Sequence, residues 1–200
     1  VPAPLVLASA SPARLKTLRA AGIEPEVHVA DLDEEGLLEA AGPVPPAQAV
    51  LLLARAKAEH VAAGLPGRLV LGCDSMLELD GEVLGKPRDP AEAAARWRAM
   101  RGRSGVLHTG HWLVGPEGET GATASTTVHF AAVSDAEIEA YVASGEPLAV
   151  AGAFTIDGLG GPFVSRVEGD HHAVVGLSLP LLRELLGRLG VEITSLWSRP

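Results

Sequence analysis

Leu5-Val6-Leu7-Ala8-Ser9-Ala10-Ser11-Pro12-Ala13-Arg14 is the stretch that decides the fold. Its first four residues are apolar without alternation, as in a strand buried on both faces. Ser11 suits a helix N-cap. Pro12 suits the first helical position, where a missing N–H is no loss. Leu15 and Leu18 share a face and Gly22 supplies a stop, so a helix is expected from Pro12 to about Ala21. A buried strand, a tight serine loop and a helix open an α/β unit.

Outward from that stretch the pattern repeats. Glu26 to Val29 alternates like a strand and feeds an acidic loop, Asp31-Leu32-Asp33-Glu34-Glu35. Ala47 to about Ala63 places Leu51, Ala54, Ala58 and Val61 on one helical stripe. Arg68 to Leu71 reads as the next buried strand, with Gly72-Cys73-Asp74-Ser75 following at its C-terminal end. Met76 to Leu79 and Glu82 to Leu84 flank Asp80-Gly81, which predicts a type I′ hairpin. Gly85-Lys86-Pro87 leaves that hairpin. Asp89-Pro90-Ala91-Glu92 and Ser134-Asp135-Ala136-Glu137 are capping boxes that open helices. Val106 to Val114, Ser125 to Val133 and Phe163 to Glu168 read as strands, and a leucine-rich helix begins at Ser178-Leu179-Pro180. The tail to Pro200 is expected as a frayed end or a short edge strand.

Two hundred residues suffice for one domain of two lobes, burying roughly 70% of the extended surface. The expected division is lobe A at about 1–88 and 145–200, and lobe B at about 89–144. The net charge of −9 argues against a nucleic-acid or anionic-membrane surface, though not against a small basic pocket. With three Trp, one Tyr and three Phe, a stacking platform for single strands is not expected. Cys73 is the only cysteine, so no intrachain disulfide or cysteine-based zinc knuckle can form, which fits a reducing cytoplasm. The opening residues lack the basic region and apolar length of a secretory leader, and no apolar run reaches membrane-spanning length.

Three polar clusters sit where strands are expected to end. Ser9, Ser11 and Arg14 surround a helix N-terminus, whose free N–H groups and dipole suit a phosphate; plain capping is the alternative. Asp74 with Ser75 follows a buried strand, the usual place for ligands in α/β folds, where an Asx turn is the alternative. Lys86, set between Gly85 and Pro87, is a point charge for a polyphosphate or an ordinary hairpin exit. The acidic loop at Asp31, Asp33, Glu34 and Glu35 either holds Mg²⁺ or is simply solvated. His171 and His172 diverge in extended chain and suit no shared zinc. His108 reads as a packing or hydrogen-bonding residue, and Cys73 as core. No P-loop and no Gly-x-Ser-x-Gly elbow occurs.

Together these stretches resemble one family. Leu7-Ala8-Ser9-Ala10-Ser11-Pro12-Ala13-Arg14, Asp31-Leu32-Asp33-Glu34, Ala56-Lys57-Ala58, Gly72-Cys73-Asp74-Ser75, Gly85-Lys86-Pro87 and His108-Thr109-Gly110 occur in the order of the Maf family. Gly145-Glu146-Pro147, Ala151-Gly152-Ala153-Phe154 and Val174-Val175-Gly176-Leu177 continue it, so the resemblance runs from about Leu5 to Leu189. Its members were once described as septum formation inhibitors and are now regarded as nucleoside triphosphate pyrophosphatases. The resemblance implies a two-lobed α/β mixed-sheet body with a central cleft, like the inosine triphosphate pyrophosphatases. It implies hydrolysis of the α–β phosphate bond with a divalent cation, Mg²⁺ or Mn²⁺, and a homodimer. A non-enzymatic nucleotide-binding regulator of septum formation is the rival expectation.

By the same resemblance the general base falls on Asp74, and the phosphate and metal groups on Ser9, Ser11, Arg14, Glu34, Lys57 and Lys86. Asp74 and Glu34 are the expected metal ligands. The positions linked to base choice fall on Ala13, Ser75 and Asp157. Ala13 stands where the family has a first Arg, Ala149-Val150 where it has Asp-Lys, and Phe154-Thr155-Ile156-Asp157 where it has Tyr-Gly-Ile-Gln. Gly105 and Ala173 replace a usual His and Asn. Asp157 in place of Gln exchanges an amide donor for an acceptor, so the recognised base edge should differ.

Overall fold

The structure is a computed structural model that describes residues 4–198. Val1 to Ala3, part of the leader expectation, and the last two residues of the tail lie outside the described residues. In chain order the elements are β1 (Val6–Ala8), α1 (Pro12–Ala20), β2 (Glu26–Val27), α2 (Glu34–Ala41) and α3 (Pro46–Gly64). Next come β3 (Val70–Leu79), β4 (Glu82–Leu84), α4 (Pro90–Met100), β5 (Ser104–Gly115) and β6 (Gly118–Phe130). The last are α5 (Asp135–Ala143), β7 (Val164–Glu168), α6 (His171–Val175) and α7 (Leu179–Arg188). Strands follow the order β2-β1-β3-β5-β6-β7, with β4 paired to β3. β1 is parallel to β2 and β3, whereas β3–β4 and β6–β7 are antiparallel, so this is an α/β fold with a mixed sheet. No helix among the described residues is long and apolar enough to cross a membrane.

The chain forms two compact units. One comprises the chain up to Asp74, Thr109–Ala124 and the chain from Gly176 onward; the other comprises Ser75–His108 and Ser125–Val175. The boundaries differ from lobes at 1–88 with 145–200 and at 89–144. β3, β5 and β6 are 10, 12 and 13 residues long, and three of the boundaries fall within these strands, the fourth after α6.

In the first unit β1 is buried on both faces, as its unalternated sequence predicts. Leu5 and Leu7 pack with Leu18, Leu113, Leu182 and Leu186, while Val6 and Ala8 pack with Ala58 and Val61 of α3. Ser11 caps α1 and Ser178 caps α7, each accepting a backbone N–H. The tail ends in a 3₁₀ turn at Ile193–Leu196, and Trp197 bridges antiparallel to Ile23. In the second unit Trp97 is the centre of an aromatic core, edge-on to Phe130, Tyr141 and Phe163 at 5.5–5.7 Å. Asp80 and Gly81 both have positive φ (53° and 83°), as a type I′ turn requires. The Ser134 capping box forms both of its hydrogen bonds. At Asp89 only half forms, because Glu92 turns to the Arg88 N–H instead.

Four local expectations are corrected. β3 does not end before Gly72 but runs through Asp74 and Ser75 to Leu79. β6 begins at Gly118, so the preceding turn is confined to about two residues. The acidic segment is not all loop: Asp33 accepts the Gly36 N–H and opens α2, with Glu34 its first residue. His171 and His172 are helical rather than extended.

Candidate active site

Two glycines seat α3 on the strands of the first unit. A Cβ on Gly72 would lie 2.1 Å from the Ala54 carbonyl oxygen and 2.8 Å from the Ala58 nitrogen. A Cβ on Gly110 would lie 2.3 Å from the Val50 carbonyl oxygen. The helix backbone therefore rests directly on β3 and β5, closer than any side chain permits. Strand alternation puts Asp74 on the same face of β3 as Gly72. Lys57, next to Ala58 on α3, reaches it there: Lys57 Nζ donates to Asp74 Oδ1 at 2.7 Å.

Lys57 Nζ is also 3.0 Å from Glu34 Oε1. The Asp33 cap fixes the helix start that presents Glu34. Lys57 and Asp74 side chains are 12% and 13% exposed, Glu34 44%, so the lysine–aspartate pair is nearly dry and the glutamate faces water. Burial raises the Asp74 pKa above its ordinary value of 3.8. The charges of Lys57 and Arg14 oppose the rise without cancelling it, and the Glu34 charge adds to it. Beside it, burial pushes the Cys73 thiol up to about 11, which leaves it a neutral core residue as expected.

The serine loop is ordered by its own side chains. Ser9 Oγ accepts from the Ser11 N–H at 3.2 Å and from Arg14 Nη1 at 2.9 Å. Ser11 Oγ accepts from the Arg14 N–H at 3.5 Å. Arg14 is buried rather than solvated, and its Nε donates to the Gly176 carbonyl at 2.8 Å. Beyond Gly176, the Ser178 N–H donates to His111 Nε2 at 2.8 Å.

Thus Glu34, Lys57 and Asp74 meet directly, and Ser9, Ser11 and Arg14 form a bonded set whose arginine charge acts on Asp74. The other expected residues belong to the second unit. Ser75 follows Asp74 along β3, half-buried. Lys86 is exposed at the exit of the hairpin, and Asp157 is exposed in the loop after Phe154.

That loop is wrapped around the carboxylate of Gly145-Glu146-Pro147, to which the sequence reading gave no role. Glu146 accepts from Tyr141 Oη at 2.8 Å, from Thr155 Oγ1, from the Leu159 N–H at 3.0 Å and from the Gly160 N–H at 3.1 Å. Burial alone would raise Glu146, but the hydrogen bonds, that of Thr155 foremost, outweigh it and hold the group below its usual value. The Gly-rich composition of 145–161 was the available signal: a Cβ on Gly158 would fall 2.5 Å from Glu146 Oε2. His108, read from the sequence as a packing or hydrogen-bonding residue, is hydrogen-bonded: its ring nitrogens lie 2.8 Å from Ser125 Oγ and 2.9 Å from Glu78 Oε2. The three come from three strands, which sequence spacing does not connect.

No group of three or more His, Cys, Asp and Glu side chains able to hold a metal is found among the described residues. Glu34 and Asp74 nevertheless present hard oxygen atoms to one cationic position, filled by the Lys57 ammonium.

A family model described as "Maf-like protein" matches residues 4–189. A protein of Salinispora tropica named "Nucleoside triphosphate pyrophosphatase" is 62% identical, covering 100% of this chain and 89% of its own length. A protein of the same name from Streptomyces avermitilis is 57% identical over 97% of this chain and 94% of its own. Among solved structures, the Staphylococcus aureus Ham1 protein overlaps 65% of this chain and 73% of its own, with 19% identity and a TM-score of 0.43.

Proposed function

Because the chain belongs to the Maf family, we propose that it is a nucleoside triphosphate pyrophosphatase, cleaving between the α and β phosphates to give monophosphate and pyrophosphate. The observation that carries this reading is the nearly dry Asp74–Lys57 pair with Glu34 beside it.

Asp74 is the general base. A carboxylate raised above its ordinary value by burial holds a proton better than a solvated one. It takes the proton from a water whose oxygen forms the new bond to the α-phosphorus. The bond to the bridging oxygen breaks on the opposite side, and pyrophosphate leaves. Lys57 holds the base in place by its 2.7 Å hydrogen bond. Ser9 and Ser11 order the turn at the head of α1, whose N–H groups and dipole favour phosphate. Arg14 and Lys86 carry positive charge for the leaving group. Ser75 and Asp157 are proposed as contacts to the nucleoside.

Glu34 and Asp74 would hold a Mg²⁺ or Mn²⁺ through their carboxylate oxygens, and such an ion would supply charge neutralisation for the triphosphate. We place the protein in the cytoplasm, where the lone buried thiol and the acidic balance are at home, acting on small nucleotides rather than on nucleic acid or membrane. A homodimer belongs to the same reading, and sedimentation velocity reads it directly.

The test is pyrophosphate release from a panel of ordinary and modified nucleoside triphosphates with Mg²⁺ or Mn²⁺. Catalytic release from at least one member is expected. Binding without turnover across the panel replaces the hydrolase with a nucleotide-binding regulator.

A further inference from the structure

Lys86 follows a glycine that packing does not hold. A Cβ built on Gly85 would meet nothing within 4 Å, and Lys86 itself is exposed. What fixes this turn is a set of hydrogen bonds from α4 and from the 150–153 segment. Arg96 Nη1 donates to the Gly85 carbonyl, and the Gly152 N–H donates to the same oxygen at 3.1 Å. Arg96 Nη2 donates to Glu92 Oε1 at 2.5 Å. The other oxygen of Glu92 accepts from the Arg88 N–H and from Arg88 Nε, both at 2.9 Å. One bonded chain, Gly85 carbonyl to Arg96 to Glu92 to Arg88 amide, therefore grips the backbone on both sides of Lys86-Pro87. Pro87 is buried between those grips.

We infer that Arg96 is a positioning residue for Lys86, acting through the Gly85 carbonyl. The inference rests on the substrate role given to Lys86 above. A lysine is a point charge on a flexible stem, so its aim is set by the backbone that launches it. Arg96 suits this task because its planar fork offers two directed donors at once, one to a carbonyl and one to a carboxylate, where lysine offers one centre. The Arg96 side chain is 14% exposed, so the fork works largely out of water. The next residue of α4 acts alike: Trp97 Nε1 donates to the Ala153 carbonyl at 2.8 Å. Ala153 has φ +60°, unfavourable for a residue with a side chain, and Gly152 has φ +73°. Adjacent residues of one helix thus fix the lysine turn and the strained segment whose amide shares the Gly85 oxygen.

The test is a double-substitution cycle on the full chain with Arg96→Lys, Lys86→Ala and the pair. It reads calorimetric affinity for the α,β-methylene analogues of ATP, GTP, CTP and UTP, and KM and kcat on the best triphosphate of the panel. Arg96→Lys is expected to weaken affinity and raise KM about tenfold and to lower kcat in the same direction as Lys86→Ala, since Lys86 also carries charge for the leaving group. In the Lys86→Ala background the same change should add nothing, because its effect travels through a side chain no longer there. Glu92→Gln, which keeps Arg96 but loosens its partner, should fall between the wild type and Arg96→Lys, and replaces that variant if it melts early. Independent, multiplying effects of Arg96→Lys and Lys86→Ala overturn the inference while leaving the substrate role of Lys86 intact. A Lys86→Ala enzyme with unchanged affinity and KM removes that role and the inference with it. A wild type that binds none of the analogues and releases no pyrophosphate removes the proposed function itself.

Discussion

Asp74 in the first unit and Glu146 in the second are both acids drawn partly out of water, and their surroundings push them in opposite directions. Glu146 accepts hydrogen bonds from a tyrosine, a threonine and two backbone amides, which satisfy its oxygens with neutral donors. Asp74 accepts from a charged donor, the Lys57 ammonium, and lies deeper, so desolvation wins. A fully satisfied carboxylate stabilises its ionised form and makes a structural pin. An under-satisfied one retains a drive to take up a proton, which is what a general base requires.

The widest gap between the two acids should appear in turnover. Asp74→Asn keeps the size of the side chain and removes the base, so kcat should fall by roughly 10²–10⁴. Circular dichroism should stay native. Turnover at the wild-type level would remove Asp74 from the chemistry. Glu146→Gln should leave kcat within a few-fold, since the residue touches the loop and not the reacting atoms.

Gly72→Ala sharpens the contrast from the side of the backbone. The added Cβ meets the Ala54 carbonyl at 2.1 Å, and backbone on backbone cannot be relieved by a rotamer change. Overpacking of this kind costs about 1–3 kcal/mol or more. Because relief requires α3 to lift off β3, Lys57 should separate from Asp74, and kcat should fall together with the melting temperature. Gly85→Ala meets nothing within 4 Å and should melt within about 0.5 kcal/mol of the wild type.

The elements most legible in the sequence were those with local causes. Ser11-Pro12, Asp89-Pro90 and Ser134 with Glu137 announce helices through caps, and Asp80-Gly81 announces its turn through two positive φ values. What the sequence concealed were residues whose conformation is set by distant partners. Gly72, Asp74 and Ser75 are turn formers by composition, so the strand seemed to stop there. The strand continues because α3 fills the space over Gly72 and Lys57 compensates Asp74. Within its acidic segment Glu34 is set apart in the sequence only by the resemblance, and in the structure by the Lys57 that α3 brings to it. Glu146 gathers donors up to 14 residues away, and the Glu78–His108–Ser125 set spans three strands. Asp74 was singled out by its place after a buried strand and Lys57 only through the resemblance; the structure joins them, because Gly72 is the seat for the helix that carries Lys57.

Glu146→Gln tests the pin itself. An amide cannot accept from all four donors, and a buried bond left unmade costs about 1–3 kcal/mol, so urea denaturation at pH 7 should show a loss of that size. A loss below about 0.3 kcal/mol would show that the loop holds itself without the carboxylate.

The smallest effect is the most specific, because the two acids should give pH dependences of opposite sign. Glu146 is held below its ordinary value of 4.5 in the folded state, so its contribution to stability is present above that pH and is lost as pH falls through the folded value. The stability gap between the wild type and Glu146→Gln should therefore close on acidification below about pH 4.5. Asp74 is raised above 3.8, so its contribution is present below 3.8 and is lost as pH rises through the folded value. Relative to Asp74→Asn, the wild type should thus lose stability as pH climbs above 3.8, the reverse trend. Urea midpoints for the three proteins across pH 3–7 measure both slopes. Parallel slopes would mean that Asp74 is as well satisfied as Glu146, and a carboxylate so satisfied is a poor proton acceptor for the water at the α-phosphorus.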